Sequence, residues 1–180
     1  MNRRLVQWLA VAVGVAIVLH VAIVWAVPRV IMSVAIKRIG NEGALNAFTH
    51  SPRTTHEFRA VVRPSPDLAY SICVLDLSDG PVTIEVPASD PYTSLALYSS
   101  ITDNYFVRNN RQNGGLAEGE TIRLVVGRAG DMPSSLPEGA EAVISPTAKG
   151  LALVRRVIEN EDAMPRLDAL RKSSVCAKAS

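Results

Sequence analysis

AYSICVLDLSDGPVTIEV, from Ala69 to Val86, decides how the rest of this chain is read. Two short runs rich in β-branched and aromatic residues, Ala69–Leu77 and Pro81–Val86, flank an Asp-Gly pair set just before Pro81. Asp-Gly accommodates a sharp reversal, and proline cannot continue a ladder as a donor, so the stretch reads as strand, turn, strand. Just upstream, Pro64 and Pro66 hold Arg63 and Ser65 extended, and Asp67 is placed to accept backbone N–H bonds beyond the turn.

Working outward, the same rhythm recurs in Phe58–Arg63, Tyr92–Ile101, Asn104–Asn109, Thr121–Val126 and Ala140–Ser145. Each run is bounded by Pro, Gly, Asp or Asn. Strands at this spacing predict an antiparallel β-sandwich or open barrel, and the lack of βαβ alternation argues against a doubly wound sheet. Beyond them, Leu151, Val154 and Ile158 fall at helical spacing, with Thr147 able to cap. A second helix follows, capped by Asn160 or Asp162, with Pro165 in its first turn and Leu167 and Leu170 facing inward. The pair is expected to cover a sheet face or an open edge.

The amino-terminal end is of another kind. Leu5–Val27 is almost unbroken in its apolarity, interrupted by Gln7 and His20. As a helix it reaches about 34 Å, enough to cross a bilayer core. Trp8 and Trp25 then lie about 25 Å apart, at interfacial depth, with Arg3, Arg4 and Arg29 as flanking cations. The alternative is a cleaved signal peptide with Val24 and Ala26 before the cut. The run exceeds the roughly 7–15 residues of a signal core, and Pro28 is unfavourable beside a cleavage site, so a retained anchor is the expectation. Arg3 and Arg4 are nearly balanced by Arg29, Lys37 and Arg38, but a short cationic tail stays in the cytoplasm. The body is therefore expected beyond the inner (cytoplasmic) membrane, in a periplasm if the source is Gram-negative; a cytoplasmic body on a reversed anchor is the other arrangement.

Pro28 permits a fresh helix or a kink, and Ile31, Ala35 and Ile39 suggest a short amphipathic spacer helix ending near Gly40 or Gly43. Asn46–Glu57 reads as a polar linker. The expected organisation is tail and anchor over 1–28, juxtamembrane helix and linker over 29–57, a β-domain with carboxy-terminal helices over 58–172, and a tail over 173–180.

The net charge of +2 is small and the basic residues are scattered, so nucleic-acid binding has no support. His20 lies in the apolar run, where a neutral imidazole is tolerable. His50 and His56 match no zinc spacing, and no metal or cofactor is expected. There is no G-x-S-x-G elbow to activate a serine; Ser71 sits in a strand. NGGLAEGE (Asn113–Glu120) lacks the Lys-Ser/Thr of a phosphate loop. Cys73 and Cys176 form a disulfide if the compartment is oxidising and stay free if it is not.

Should the connections around Asp67 and after Tyr92–Ile101 meet at one end of the sandwich, Asp67, Tyr70, Asp103, Asn104 and Arg108 would face one ligand. Arg108 or Arg111 would hold an anion. A hydrolase variant uses Asp67 and Asp103 as acid and base, with Tyr70 or Arg108 orienting substrate. The structural alternative gives each of these residues a local duty in a turn.

RPSPDLAYSICVLDLSDGPVTIEVP, YTSLALYSSITDNYFVRNNR, IRLVVG and LPEGAEAVISPT, in that order, resemble the bacterial domain-of-unknown-function 1254 family over roughly Thr49–Arg171. Where that family commonly has Asn-x-Asp-Thr-Leu-Tyr, this chain reads Ser65-Pro66-Asp67-Leu68-Ala69-Tyr70, keeping Asp67 and Tyr70. The resemblance implies an immunoglobulin-like β-sandwich with appended helices and an unknown activity. It also implies a companion: longer members carry a second module, domain-of-unknown-function 1214, which another membrane-anchored chain would supply here. The expected role is a non-enzymatic docking or scaffold module of the cell envelope.

Overall fold

The structure is a computed structural model that describes residues 2–42, 44–54, 64–112 and 115–179. The expected strand Phe58–Arg63 and His56 lie outside the described residues. A single helix, α1 (Arg3–Glu42), leads into a body built from two sheets. One sheet has the order β1 (Phe48–His50), β2 (Leu68–Asp76), β8 (Lys149–Val157), β4 (Thr93–Ser99), β5 (Asn104–Asn109). The other has the order β7 (Ala140–Ile144), β6 (Thr121–Gly127), β3 (Val82–Pro87), β9 (Val175–Lys178).

The opening stretch folds as strand, turn, strand. Gly80 takes φ +122° in the connection from β2 to β3, a conformation side-chain-bearing residues rarely adopt. β2 and β3 do not pair with each other; the turn carries the chain from one sheet to the other, so the interior is closed from both sides. That interior is apolar and fully covered: Leu75, Ile84, Leu95, Leu97, Leu124 and Val154 are each no more than 1% exposed. Cys73 on β2 and Cys176 on β9 join the sheets through a disulfide, with Cα atoms 6.6 Å apart and a sequence separation of 103.

A mainly β, two-sheet body with an amino-terminal apolar helix is thus the architecture. The strand order does not by itself single out an immunoglobulin arrangement, and the pairing is not wholly antiparallel. β7 runs parallel to β6, because the connection from Arg128 to Gly139 is long enough to return the chain to the same end of the sheet.

Several sequence expectations are corrected. The helix expected around Leu151, Val154 and Ile158 is the central strand β8, paired antiparallel to β2 and β4. Gly150, Ala152, Val154 and Arg156 point inward and Leu151, Leu153, Arg155 and Val157 outward. A strand apolar on both faces shows no clean alternation, and its spacing overlaps that of a helix. Thr147 caps no helix; its hydroxyl donates to Lys149 O and accepts from Ser100 N. The linker and tail also contain strands, since β1 extends one sheet and β9 the other. The second helix forms as expected: Asn160 caps a 3-10 turn, Glu161–Ala163, through a bond from Ala163 N, and α2 (Met164–Lys172) follows with Leu167 buried.

Pro28 starts no second helix either. It lies inside α1, and Arg29 Nη1 donates to Trp25 O at 2.6 Å nearby, serving a carbonyl in the turn where proline removes a backbone donor. Along α1, the side chains from Leu5 to Val24 are all exposed, whereas Met32 is buried and Ala35, Ile36 and Ile39 are half-buried. Of the residues placed in sequence on one face, Ala35 and Ile39 lie on the covered side, whereas Ile31 is 58% exposed and Met32 takes its place.

Candidate functional site

The residues expected to share a site are dispersed by the register. Asp67 precedes β2, where its carbonyl accepts from Ile158 N, beside the carboxy-terminal end of β8. Asp103 follows β4, whose Ser99 pairs with Gly150 at the opposite end of β8. Eight residue steps along that strand separate the two ends by about 26 Å. An acid–base pair needs both carboxyls around one bond, so Asp67 and Asp103 cannot form one. Tyr70 pairs with Arg155 and points to the outer face, where its hydroxyl accepts from Ser65 N at 2.9 Å. Arg108 pairs with Leu95 on the edge strand β5, in register with interior-facing positions. Asn104 is exposed at the bulged start of β5. Arg111 donates Nε and Nη2 to Pro91 O, tying two loops together.

What the fold does bring together was not singled out as a set in the sequence: His50, Ser71, Arg156, Arg171, Asp168 and Ser174. In the pairing of β1 with β2, His50 lies opposite Ser71, and His50 Nδ1 is 2.8 Å from Ser71 Oγ. Ser71 is wholly buried and opposite Val154 of β8. Two residues on, Arg156 is also wholly buried, and its Nη2 donates to Pro87 O at 2.9 Å and Ser174 Oγ at 3.2 Å. From the last turn of α2, where a cation suits the helix dipole, Arg171 donates to Ser51 O and Tyr70 O and pairs with Asp168. α2 is thereby fastened to the first sheet.

The electrostatics are lopsided. Burial, and then the Arg171 charge, lower the Arg156 pKa to about 10, so it stays protonated at neutral pH. Burial lowers the His50 pKa, and Arg171 and Arg156 lower it further while Asp168 opposes them. His50 is therefore neutral at pH 7, and its pair with Ser71 is a hydrogen bond between neutral groups. Arg156 Nε and Nη1 and Arg171 Nε are buried without a hydrogen-bond partner among the described residues. Ser71 Oγ is sealed from any substrate carbonyl, so the pair holds structure and offers no nucleophile. Among the described residues no cluster of His, Cys, Asp and Glu is suited to a metal.

A pH dependence follows with a definite sign. An unfolded chain takes up a proton at His50 near pH 6.5, whereas the folded chain resists until lower pH. Stability from this group is complete above pH 6.5 and declines as pH falls through 6.5 towards the lower folded value. Burial first, then Arg171 on α2, Arg156 on β8 and Lys172 on α2, lower the folded value, and Asp168 on α2 opposes them. In His50→Gln, urea midpoints measured between pH 7.5 and 5 lose this component of the decline.

One signal could have exposed the cluster. Neighbouring arginines in a strand point to opposite faces, so Arg155–Arg156 would have put one guanidinium inside had β8 been read as a strand.

Residues 45–178 match the family described as Protein of unknown function (DUF1254). The chain belongs to this family. The DUF1254 match begins just after α1 and takes in both β1 and β9. Among solved structures, the VPA0106 protein from Vibrio parahaemolyticus is similar over 87% of this chain, at 14% identity and TM-score 0.66. That likeness is one of fold, and the DUF1254 chain spans 37% of that protein's length. An uncharacterised protein from Burkholderia cenocepacia matches over 63% of this chain and 32% of its own, at 16% identity and TM-score 0.45. No curated protein matches the chain.

Proposed function

We propose that this DUF1254 chain is an envelope docking module. On this reading α1 crosses the inner membrane, and an immunoglobulin-like body sits in the periplasm to engage a companion anchored protein carrying a domain-of-unknown-function 1214 module. The observation that carries it is the division of α1. The first part presents an exposed apolar surface all round, Trp8 at 73% and Val18 at 68%, that water does not tolerate but lipid does; after Pro28 one face, Met32, Ala35, Ile36 and Ile39, is buried or half-buried while Val30, Ile31 and Val34 stay exposed. The helix from Arg3 to Gly40 is long and apolar enough to cross a membrane, with mean hydropathy 2.6 in its best window. Arg29 stacks 4.1 Å from the Trp25 ring centre, a pairing suited to an interface, with Trp8, Arg3 and Arg4 at the other. A disulfide suits an oxidising compartment. The docking role draws on length: VPA0106 carries a fold of this kind within a longer chain.

The test is a pair of carboxy-terminal fusions with co-isolation. Alkaline phosphatase after Ala179 is expected to be active and green fluorescent protein dark. A companion 1214-module chain is expected to co-purify in detergent. A fluorescent, phosphatase-negative result overturns the orientation, and a lone monomer with the companion present overturns the docking role.

A further inference from the structure

We propose that the buried arginines at the α2 end of the sandwich bind a halide-sized anion, which locks α2 onto the two sheets. Arg156 is 0% exposed and Arg171 6%, and among the described residues the one carboxylate paired with them is that of Asp168, on Arg171, whose side chain is itself 40% exposed. Two guanidinium charges against one carboxylate leave a net positive charge where an uncompensated ion is severely penalised. Three N–H nitrogens, Arg156 Nε, Arg156 Nη1 and Arg171 Nε, are unspent among the described residues. Buried donors of charged groups are satisfied in native proteins, and an anion satisfies donor and charge together.

The pattern of spent donors selects the class of anion. Arginine grips a carboxylate or phosphate through two parallel N–H groups on one edge. Both edges of Arg156 use Nη2, and its two hydrogens are committed to Pro87 O and Ser174 Oγ. What remains are single donors on separate sides, which suit a small spherical ion and not a planar fork. His50, neutral beside them, offers its second ring nitrogen as a further N–H when Ser71 donates to Nδ1. The partners of these arginines, Pro87, Ser174, Ser51 and Tyr70, belong to four segments far apart in sequence. An ion here therefore stabilises the junction of both sheets with α2.

The experiment titrates the full chain in detergent with sodium bromide or chloride, ionic strength being held constant with sodium gluconate, whose anion is too large for the interior. The melting temperature is expected to rise with halide by about 5–10 °C at a hundredfold excess over the dissociation constant. Arg156→Met, which fills a similar volume without charge, is expected to melt without dependence on halide. Should that variant not fold, Arg171→Met is read the same way, and anomalous scattering from bromide-soaked crystals of the unaltered chain places the ion directly. Identical melting in halide and gluconate, an undiminished halide response in both variants, or bromide absent from these guanidiniums overturns the proposal.

Discussion

Replacing Cys73 and Cys176 together by alanine is expected to lower the melting temperature of the body by about 10–20 °C. The bond closes a loop with 103 residues of separation, and a 100-residue loop is worth about 4.7 kcal/mol when its closure is removed from the unfolded chain. Position adds to length. Cys73 lies in the interior of β2, whereas Cys176 lies on β9, a four-residue edge strand held to one neighbour, β3. A strand that short contributes little pairing of its own, so the covalent link keeps the chain terminus on the sheet. Thermal melts of the double variant, and of the unaltered chain with and without a reductant that reaches the bond, provide the check. Equal melting temperatures for oxidised and doubly substituted protein would mean that β9 holds without its staple.

The second large effect is expected at Gly150. A Cβ built there falls 2.4 Å from the backbone oxygen of Tyr98, closer than real contacts allow. The obstacle belongs to the main chain of β4, which is hydrogen-bonded to β8 on that side, so no side-chain rotation relieves it. Gly150→Ala must open the ladder at the centre of the five-stranded sheet, at a cost of about 3 kcal/mol. Denaturant unfolding of the variant measures this loss. A cost within 0.5 kcal/mol or so, typical of a surface position, would show that the two strands lie further apart than described.

Both effects sit on features that the amino-acid order displays unevenly. β2 and β3 were legible because Asp79-Gly80-Pro81 punctuates two β-branched runs, and α2 because Asn160 and Pro165 mark a helix start. β8 was not, because a strand with apolar residues on both its inner and its half-exposed outer face shows no alternation in sequence, and Leu151, Val154 and Ile158 happen to fit a helical turn. β1 and β9, with three and four residues, are too short to carry a period and exist because longer neighbours offer an edge.

The site was harder still. Asp67, Tyr70, Asp103, Asn104 and Arg108 looked like a set because they are polar residues near turns. Whether such turns meet depends on strand order, and β8 holds Asp67 and Asp103 at opposite ends. Conversely, His50, Ser71, Arg156 and Arg171 come from β1, β2, β8 and α2, and no local spacing links them. The pairing of Cys73 with Cys176 required interior positions on facing sheets, which strand assignments for β9 alone would have supplied.

We propose that an intact apolar helix holds a disulfide-closed body on the far side of the membrane. A maleimide-polyethylene glycol gel shift on carbonate-washed membranes, with thiols trapped in intact cells, tests it in one measurement. The account predicts a band of full-length mass in the membrane fraction that gains two adducts after reduction and none before. A shortened soluble band, or two adducts without any reductant, would contradict it.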